Sequence, residues 1–479
     1  MARALNAGPV PRRRRTFFGL LDSDGWGWAA AKAAFWFIVI IFMLGYIPDR
    51  AYYFTVNKTI DLGILAWSPV NFCPASNESV PCPAPQGAVL PWHPAPQQLA
   101  LPAPRTDGAV IQAGQKVLYI GGSDGTTASS DVFVAQTVQV GNFDKWAKGP
   151  SLPAPRTDSG VAFLGGSIYV VGGNDETGKP TATTYVLTPD LQTGDLGTWK
   201  TATADTKIDL PEARSGGSLV ALADGLLFVG GTGPSGLTDT TWKAKLDSKG
   251  KLGAWTPQAK LVSPVADATA VLNGDNVWVF GGRNASGPVA TVQRGTVETK
   301  AGDQLGQLVQ WGTNPQSNLP EPRTNASGFI SNGALYLVGG SDGSRTRNEL
   351  YWAIPSSGGD IREWKHLGQT DLPSAGLEGG AAGIVGPDVV IVGGKSGNAV
   401  QTTSARSELA PQEPFFQLGL VGATVPALTI QGEIGQQLGY LNAAGAGTVD
   451  FIILILIGLA FAHRERTRQI FDRLRRRRR

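Results

Sequence analysis

Apolar and polar positions in this chain alternate in short bursts, not in long helical stripes. Residues Leu101–Gly122, LPAPRTDGAVIQAGQKVLYIGG, show the unit: a Pro-rich turn, a first apolar segment, a Gly114-Gln115 turn, a second apolar segment and a Gly-Gly pair. Short apolar runs bounded by Gly, Pro and Asn are the signature of β-strands. The unit recurs at Leu152–Gly173 and Leu319–Gly340, and in looser form at Leu210–Gly231, Leu261–Gly282 and Leu372–Gly394. The first Gly of each pair falls at 121, 172, 230, 281, 339 and 393, a period of 51 to 58 residues. Copies at that spacing predict a stacked or closed repeat architecture.

Each copy predicts four strands. In the first, Thr106–Ala113 and Lys116–Ile120 make a hairpin, Asp131–Val138 follows a polar loop, and a fourth strand carries Trp146. The same Trp recurs at 199, 255, 311 and 364, but the sixth copy lacks it. Ala88–Trp92, ahead of the first motif, ends in the missing Trp, so this N-terminal strand is expected to complete the last blade and close the ring. Closure removes exposed sheet edges, and four antiparallel strands per repeat make one propeller blade. The Gly-Gly pair, the downstream Trp and the Pro-Arg turn resemble kelch repeats over roughly residues 88–410. The resemblance implies an all-β, six-bladed kelch-type β-propeller. Spacing from the motif Arg position to the first Gly is 16 in five copies and 17 in the sixth. The chain departs from the family pattern in having few tyrosines after the Gly-Gly pair and irregular fourth and sixth copies. Kelch propellers host binding modules and some enzymes, so the fold leaves function open.

Composition agrees with turn-dense β structure: 479 residues, 16% charged, with 63 Gly and 32 Pro. Charge is unevenly spread. Residues 1–27 carry +3 and residues 463–479 carry +7, so the 435 residues between them carry −7 of the overall +3. A mildly acidic body argues against a nucleic-acid partner, which needs clustered Lys and Arg. The basic tails point instead to a membrane. Trp28–Ile47 is 20 residues long with one charge, Lys32, and would span roughly 30 Å. Phe451–Ala462, extended upstream from Asn442, gives a second candidate span, with Asp450 either facing a helix partner or sitting near the interface. Arginines before the first span and after the second would place both termini in the cytoplasm. The expected layout is a basic cytoplasmic tail (1–27), a transmembrane helix (28–47), an extracytoplasmic linker (48–87), the propeller (88–410), a linker (411–440), a second helix (441–462) and an Arg-rich tail (463–479). Cys73 and Cys82, in a Pro-rich loop of the first linker, are expected to form a disulfide in an oxidising compartment.

Candidate binding residues come from the motif. Arg105, Arg156, Arg214 and Arg323 occupy its Arg position, with Val265 and Gly376 in the irregular copies. Two residues on come Asp107, Asp158, Gly216, Asp267, Asn325 and Glu378. If both positions start the innermost strand they share one face, and six blades set a ring of cations beside a ring of acids at one channel mouth. Such a ring could bind a charged peptide or glycan, or a hydrated cation. It could equally hold the blades together. The loops after the Gly-Gly pairs, among them Asn174-Asp175, Arg283-Asn284 and Lys395-Ser396, edge the same mouth. The recurrent Trp residues read as blade packing. No phosphate loop, nucleophile elbow or copper-type His set is found, and the sequence asks for no cofactor. The expected function is a non-catalytic, membrane-anchored binding or scaffold subunit with a protein or glycan partner, a membrane-protein partner and the lipid bilayer. The resemblance also admits a sugar-active enzyme such as a mutarotase.

Overall fold

The computed structural model describes residues 33–39, 87–94, 100–137, 144–190, 192–202, 207–299, 305–356, 358–366, 368–386 and 388–409. Six four-stranded antiparallel sheets follow one another around an axis. Blade 1 is Ala109–Ala113, Lys116–Ile120, Val132–Gln136 and Ala147–Lys148. Blades 2 to 5 repeat the order, with innermost strands Gly160–Leu164, Ser218–Leu222, Thr269–Asn273 and Ser327–Ser331. Blade 6 has Ala381–Val385, Asp388–Val392 and Ser404–Glu408. Its outermost strand is His93–Pro94, from the other end of the domain, paired antiparallel to Ser404–Glu408. The N-terminal strand therefore closes the ring. Trp92 beside it is buried.

The sequence pattern of each strand follows from its distance to the axis. Second strands such as Ser167–Val171 and Ala334–Val338 are buried along their whole length between neighbouring blades, so they read as continuous apolar runs. First strands converge on the axis, and the residue just ahead of each is small: Gly108, Ser159, Gly217, Ala268, Ala326 and Gly380 line the channel. The Gly-Gly pair has a definite task. The second Gly donates its N–H to the backbone carbonyl at the Arg position of the next copy: Gly122 to Arg156, Gly173 to Arg214, Gly231 to Val265, Gly282 to Arg323, Gly340 to Leu377 and Gly394 to Arg105, all at 2.7–2.9 Å. A Cβ on the first Gly would lie about 2.4–2.5 Å from that same carbonyl oxygen, and every one of these glycines has positive φ. Only Gly permits the approach.

Two expectations need correction. The sixth copy is offset by one residue, so Leu377, not Gly376, occupies the Arg position and accepts from Gly340. The two-pass membrane arrangement, with both termini cytoplasmic, is overturned: among the described residues no helix is long and apolar enough to cross a membrane. Within Trp28–Ile47 the described helix covers residues 33–39, which rises about 10 Å against a bilayer core of about 30 Å. The second candidate span with Asp450, and the cysteines Cys73 and Cys82, lie outside the described residues.

Candidate functional site

The turn leading into each first strand decides where the motif side chains go. Asp107, Asp158, Asp267 and Asn325 all have left-handed backbones (φ 57°, 56°, 54° and 50°), and Gly216 and Gly379 have φ 60° and 63°. Asp, Asn and Gly are the residues that tolerate this region. The six positions form a continuous ring of backbone hydrogen bonds, each N–H donating to the carbonyl of the preceding blade's residue. Asp158 donates to Asp107, Gly216 to Asp158, Asp267 to Gly216, Asn325 to Asp267, Gly379 to Asn325 and Asp107 to Gly379, at 2.7–3.0 Å. The ring encircles the upper end of an axial cavity of about 270 Å³ lined by the first strands of all six blades.

The left-handed turn also separates Arg from Asp. A strand would put residues i and i+2 on one face, but here the alternation is broken before the strand begins. The four arginines turn away from the mouth and are buried inside the blades. Each donates one guanidinium N–H to the carbonyl of the residue before it. Each also lies over an aromatic ring of its blade's third strand: Arg105 over Phe133, Arg156 over Tyr185, Arg214 over Trp242 and Arg323 over Tyr351, at 4.6–5.6 Å. Arg105 pairs with Asp131 at 2.6 Å, Arg156 donates to Thr183, Arg214 meets Glu212 and Thr240, and Arg323 meets Glu321 and Glu349. No ring of cations faces the mouth at these positions.

The acids do converge there. Asp107 and Asp158 sit half-buried on adjacent blades, and Asp267 forms an ion pair with Arg283. Glu378, one residue out of register, occupies the position of Thr106 rather than of Asp107, as its bridge to Lys395 shows. Its longer side chain still reaches the mouth, accepting from the Asn325 amide at 3.3 Å and lying 3.8 Å from Lys395. Burial is the main force holding these carboxyl groups above the ordinary carboxylate pKa. It holds Asp107 up at about 8, reinforced by the charge of Asp158 and opposed by the Thr106 hydroxyl. It holds Asp158 at about 6, with Asp267 adding to the rise and Asn174 and Thr157 opposing it. Asp267 is raised by burial against the pull of Arg283. Crowded carboxylates in a low-dielectric site cannot all be charged.

The rim loops are of two builds. In blades 1, 2 and 5 the carboxylates of Asp124, Asp175 and Asp342 accept backbone N–H bonds from their own turns, which is turn chemistry. In blades 3, 4 and 6 short two-stranded hairpins replace them. The recurrent Trp residues pack the outer blade edges, and four donate indole N–H to the preceding blade: Trp199 to Pro150, Trp255 to Ile208, Trp311 to Ala259 and Trp364 to Ser317.

A family described as the KLHDC2/KLHL20/DRC7 kelch-repeats domain matches residues 88–282. The domain is a six-bladed kelch-repeat propeller. Relatives of this kelch propeller include kelch repeat protein M-T8 of Myxoma virus, 26% identical over 214 residues, which covers 43% of this chain and 36% of that protein. Kelch-like protein terF of Aspergillus terreus is 29% identical over 209 residues, covering 41% of this chain and 43% of its own length. Beta-scruin of Limulus polyphemus is 23% identical over 222 residues, covering 44% and 22%. The chain spans less than half the length of each of these relatives.

Proposed function

We propose that the chain is a non-catalytic binding or scaffold protein whose kelch propeller receives a protein partner at the acidic mouth. The observation that carries this reading is the convergence of Asp107, Asp158, Asp267 and Glu378 on the rim of one open axial cavity. Their rigid backbone ring holds the group in place without the cost of ordering on binding, and unequal rim loops give each blade its own contribution to recognition. The acidic character favours a partner with a basic surface, which would relieve the repulsion among the carboxylates.

The test is to capture partners with the full chain and map the contact by hydroxyl-radical footprinting. Protection is expected in the rim loops 123–128 and 174–180 and at the mouth. Protection confined to the opposite turns, around 114–115 and 274–275, would overturn the reading. So would steady turnover of a sugar panel that disappears in Asp107→Asn, since that would make the mouth an enzyme site.

A further inference from the structure

Four blades bury an arginine at the entry turn, and one of the four lacks a counter-charge. The guanidinium meets its partners from two places. One is the start of the third strand, where Asp131, Thr183, Thr240 and Glu349 each accept from their blade's arginine. The other is two residues ahead of the arginine, where Ala103, Ala154, Glu212 and Glu321 stand. Blade 1 has an acid at the first place, blade 3 at the second and blade 5 at both. Blade 2 has only Thr183 and Ala154, so Arg156 has no carboxylate partner among the described residues. A buried cation left without an anion is costly. The rim acid Asp175 feels the charge of Arg156, but its carboxylate is committed to the Thr177 and Lys179 N–H groups and the Thr177 hydroxyl. Asp124 stands in the same relation to Arg105, which nevertheless keeps Asp131. Two observations show that an anion reaches the second place from solvent. Glu212 and Glu321 keep side chains 48% and 42% exposed while pairing with deeply buried arginines. Where Ala stands instead, the arginine is less covered: Arg105 is 8% and Arg156 5% exposed, against 1% for Arg214 and Arg323.

We propose that the entry turn of blade 2 is a socket for one acidic side chain of the protein partner, whose carboxylate takes the place beside Ala154 that Glu212 and Glu321 fill in blades 3 and 5. The socket rests on the reading of this end of the propeller as the partner-binding face. It adds a contact of opposite sign to the basic group expected at the acidic mouth. The Arg156 side chain is already held in position. One terminal nitrogen donates to the Pro155 carbonyl and the other to the Thr183 hydroxyl, both at 2.6 Å, and the guanidinium lies over the Tyr185 ring at 4.9 Å. An entering carboxylate therefore orders no loose side chain, and it gains a charge-assisted bond to a largely desolvated cation. Blade 1 offers no equal socket, because Asp131 already neutralises Arg105 at 2.6 Å. Opposite charges at the axis and off it fix the rotational register of a partner on six blades of similar build.

The experiment fills the socket from within and from without. Ala154→Glu copies blades 3 and 5, and Thr183→Asp copies blade 1, so each supplies the missing carboxylate in cis. At least one of the two is expected to raise the midpoint of thermal unfolding of the full chain by about 2–4 °C, while Ala154→Gln leaves it unchanged. The external probe is a Gly-Ser decapeptide with one glutamate, its N-terminus trifluoroacetylated and its C-terminus amidated, so that the glutamate is its only charge. Fluorine NMR reads weak binding as line broadening. Saturable broadening is expected with the glutamate peptide and none with its glutamine counterpart. Ala154→Glu abolishes the broadening, whereas Ala103→Glu, at the same place in blade 1, keeps it. Unchanged midpoints in both filled variants, equal broadening of the two peptides, or broadening that survives in Ala154→Glu would overturn the socket. If the footprint places the natural partner away from this face while the glutamate peptide still binds at Arg156, the partner-binding reading fails and the socket stands. If the partner protects the mouth but the two peptides behave alike, only the socket falls.

Discussion

Two glycines of blade 2 separate the reasons for which this chain uses Gly. Gly166, in the turn between the first two strands, has φ 80° and no heavy atom within 4 Å of where a Cβ would be. Gly172, the first of the Gly-Gly pair, has φ 67° and would place its Cβ 2.5 Å from the Arg214 carbonyl oxygen. At Gly166 an added methyl meets only the backbone preference, about 1 kcal/mol. At Gly172 it meets the same preference and must also push the next blade's entry turn away, breaking the Gly173-to-Arg214 hydrogen bond at 2.7 Å; roughly 3 kcal/mol or more is expected. Urea denaturation of Gly166→Ala and Gly172→Ala measures the difference. Similar losses in the two variants would mean that the pair is kept for its backbone angles alone and not for blade-to-blade contact.

At the scale of the element, the buried arginine joins a blade's entry turn to its third strand. Arg214 is 1% exposed, stacks over Trp242 at 4.6 Å and bonds to Ala213, Glu212 and Thr240. Lysine keeps the charge but has neither the planar stack nor the forked donors. Arg214→Lys is therefore expected to cost about 2 kcal/mol, read as a lowered midpoint of thermal unfolding with the fold retained; an unchanged midpoint would show that charge alone suffices. Blade 4 shows the apolar solution to the same task, since Val265 packs with Leu261, Val277 and Val279 where blades 1, 2, 3 and 5 use Arg. These elements were largely legible in the sequence. Gly-Gly pairs and apolar runs report on local geometry, and local geometry recurs in every blade. What escaped was set by single residues. The one-residue offset before Leu377 moves Glu378 into the Thr106 register, and the spacing of 17 flagged it without saying where the extra residue was absorbed. The left-handed turn at Asp107 sends Arg105 inward and the carboxylate to the mouth, which a strand-like alternation of side chains cannot anticipate.

At the scale of the whole molecule, the outer edge of the last blade is covered by a strand borrowed across the entire length of the domain. His93 and Pro94 pair with Arg406 and Ala405, Val89 bridges to Leu409, Leu90 donates to Glu408 at 3.0 Å, and the Ser407 hydroxyl donates to the Leu90 carbonyl. Everything else that binds blade 6 to its neighbours is independent of that strand: the axial ring bonds through Gly379 and the staples from Gly340 to Leu377 and from Gly394 to Arg105 remain without it. Removing the strand should therefore leave the ring assembled but expose Ser404–Glu408 as a free edge, the kind of edge that recruits another chain. Replacing residues 88–94 with a Gly-Ser stretch of equal length is expected to lower stability and to produce concentration-dependent association in size-exclusion chromatography. A synthetic peptide of residues 87–94 supplied in trans should restore the monomer by adding the missing strand. A variant that stays monomeric and as stable as the parent would show that the axial ring and the Gly-Gly staples close the propeller by themselves, with the N-terminal strand only lying along its edge.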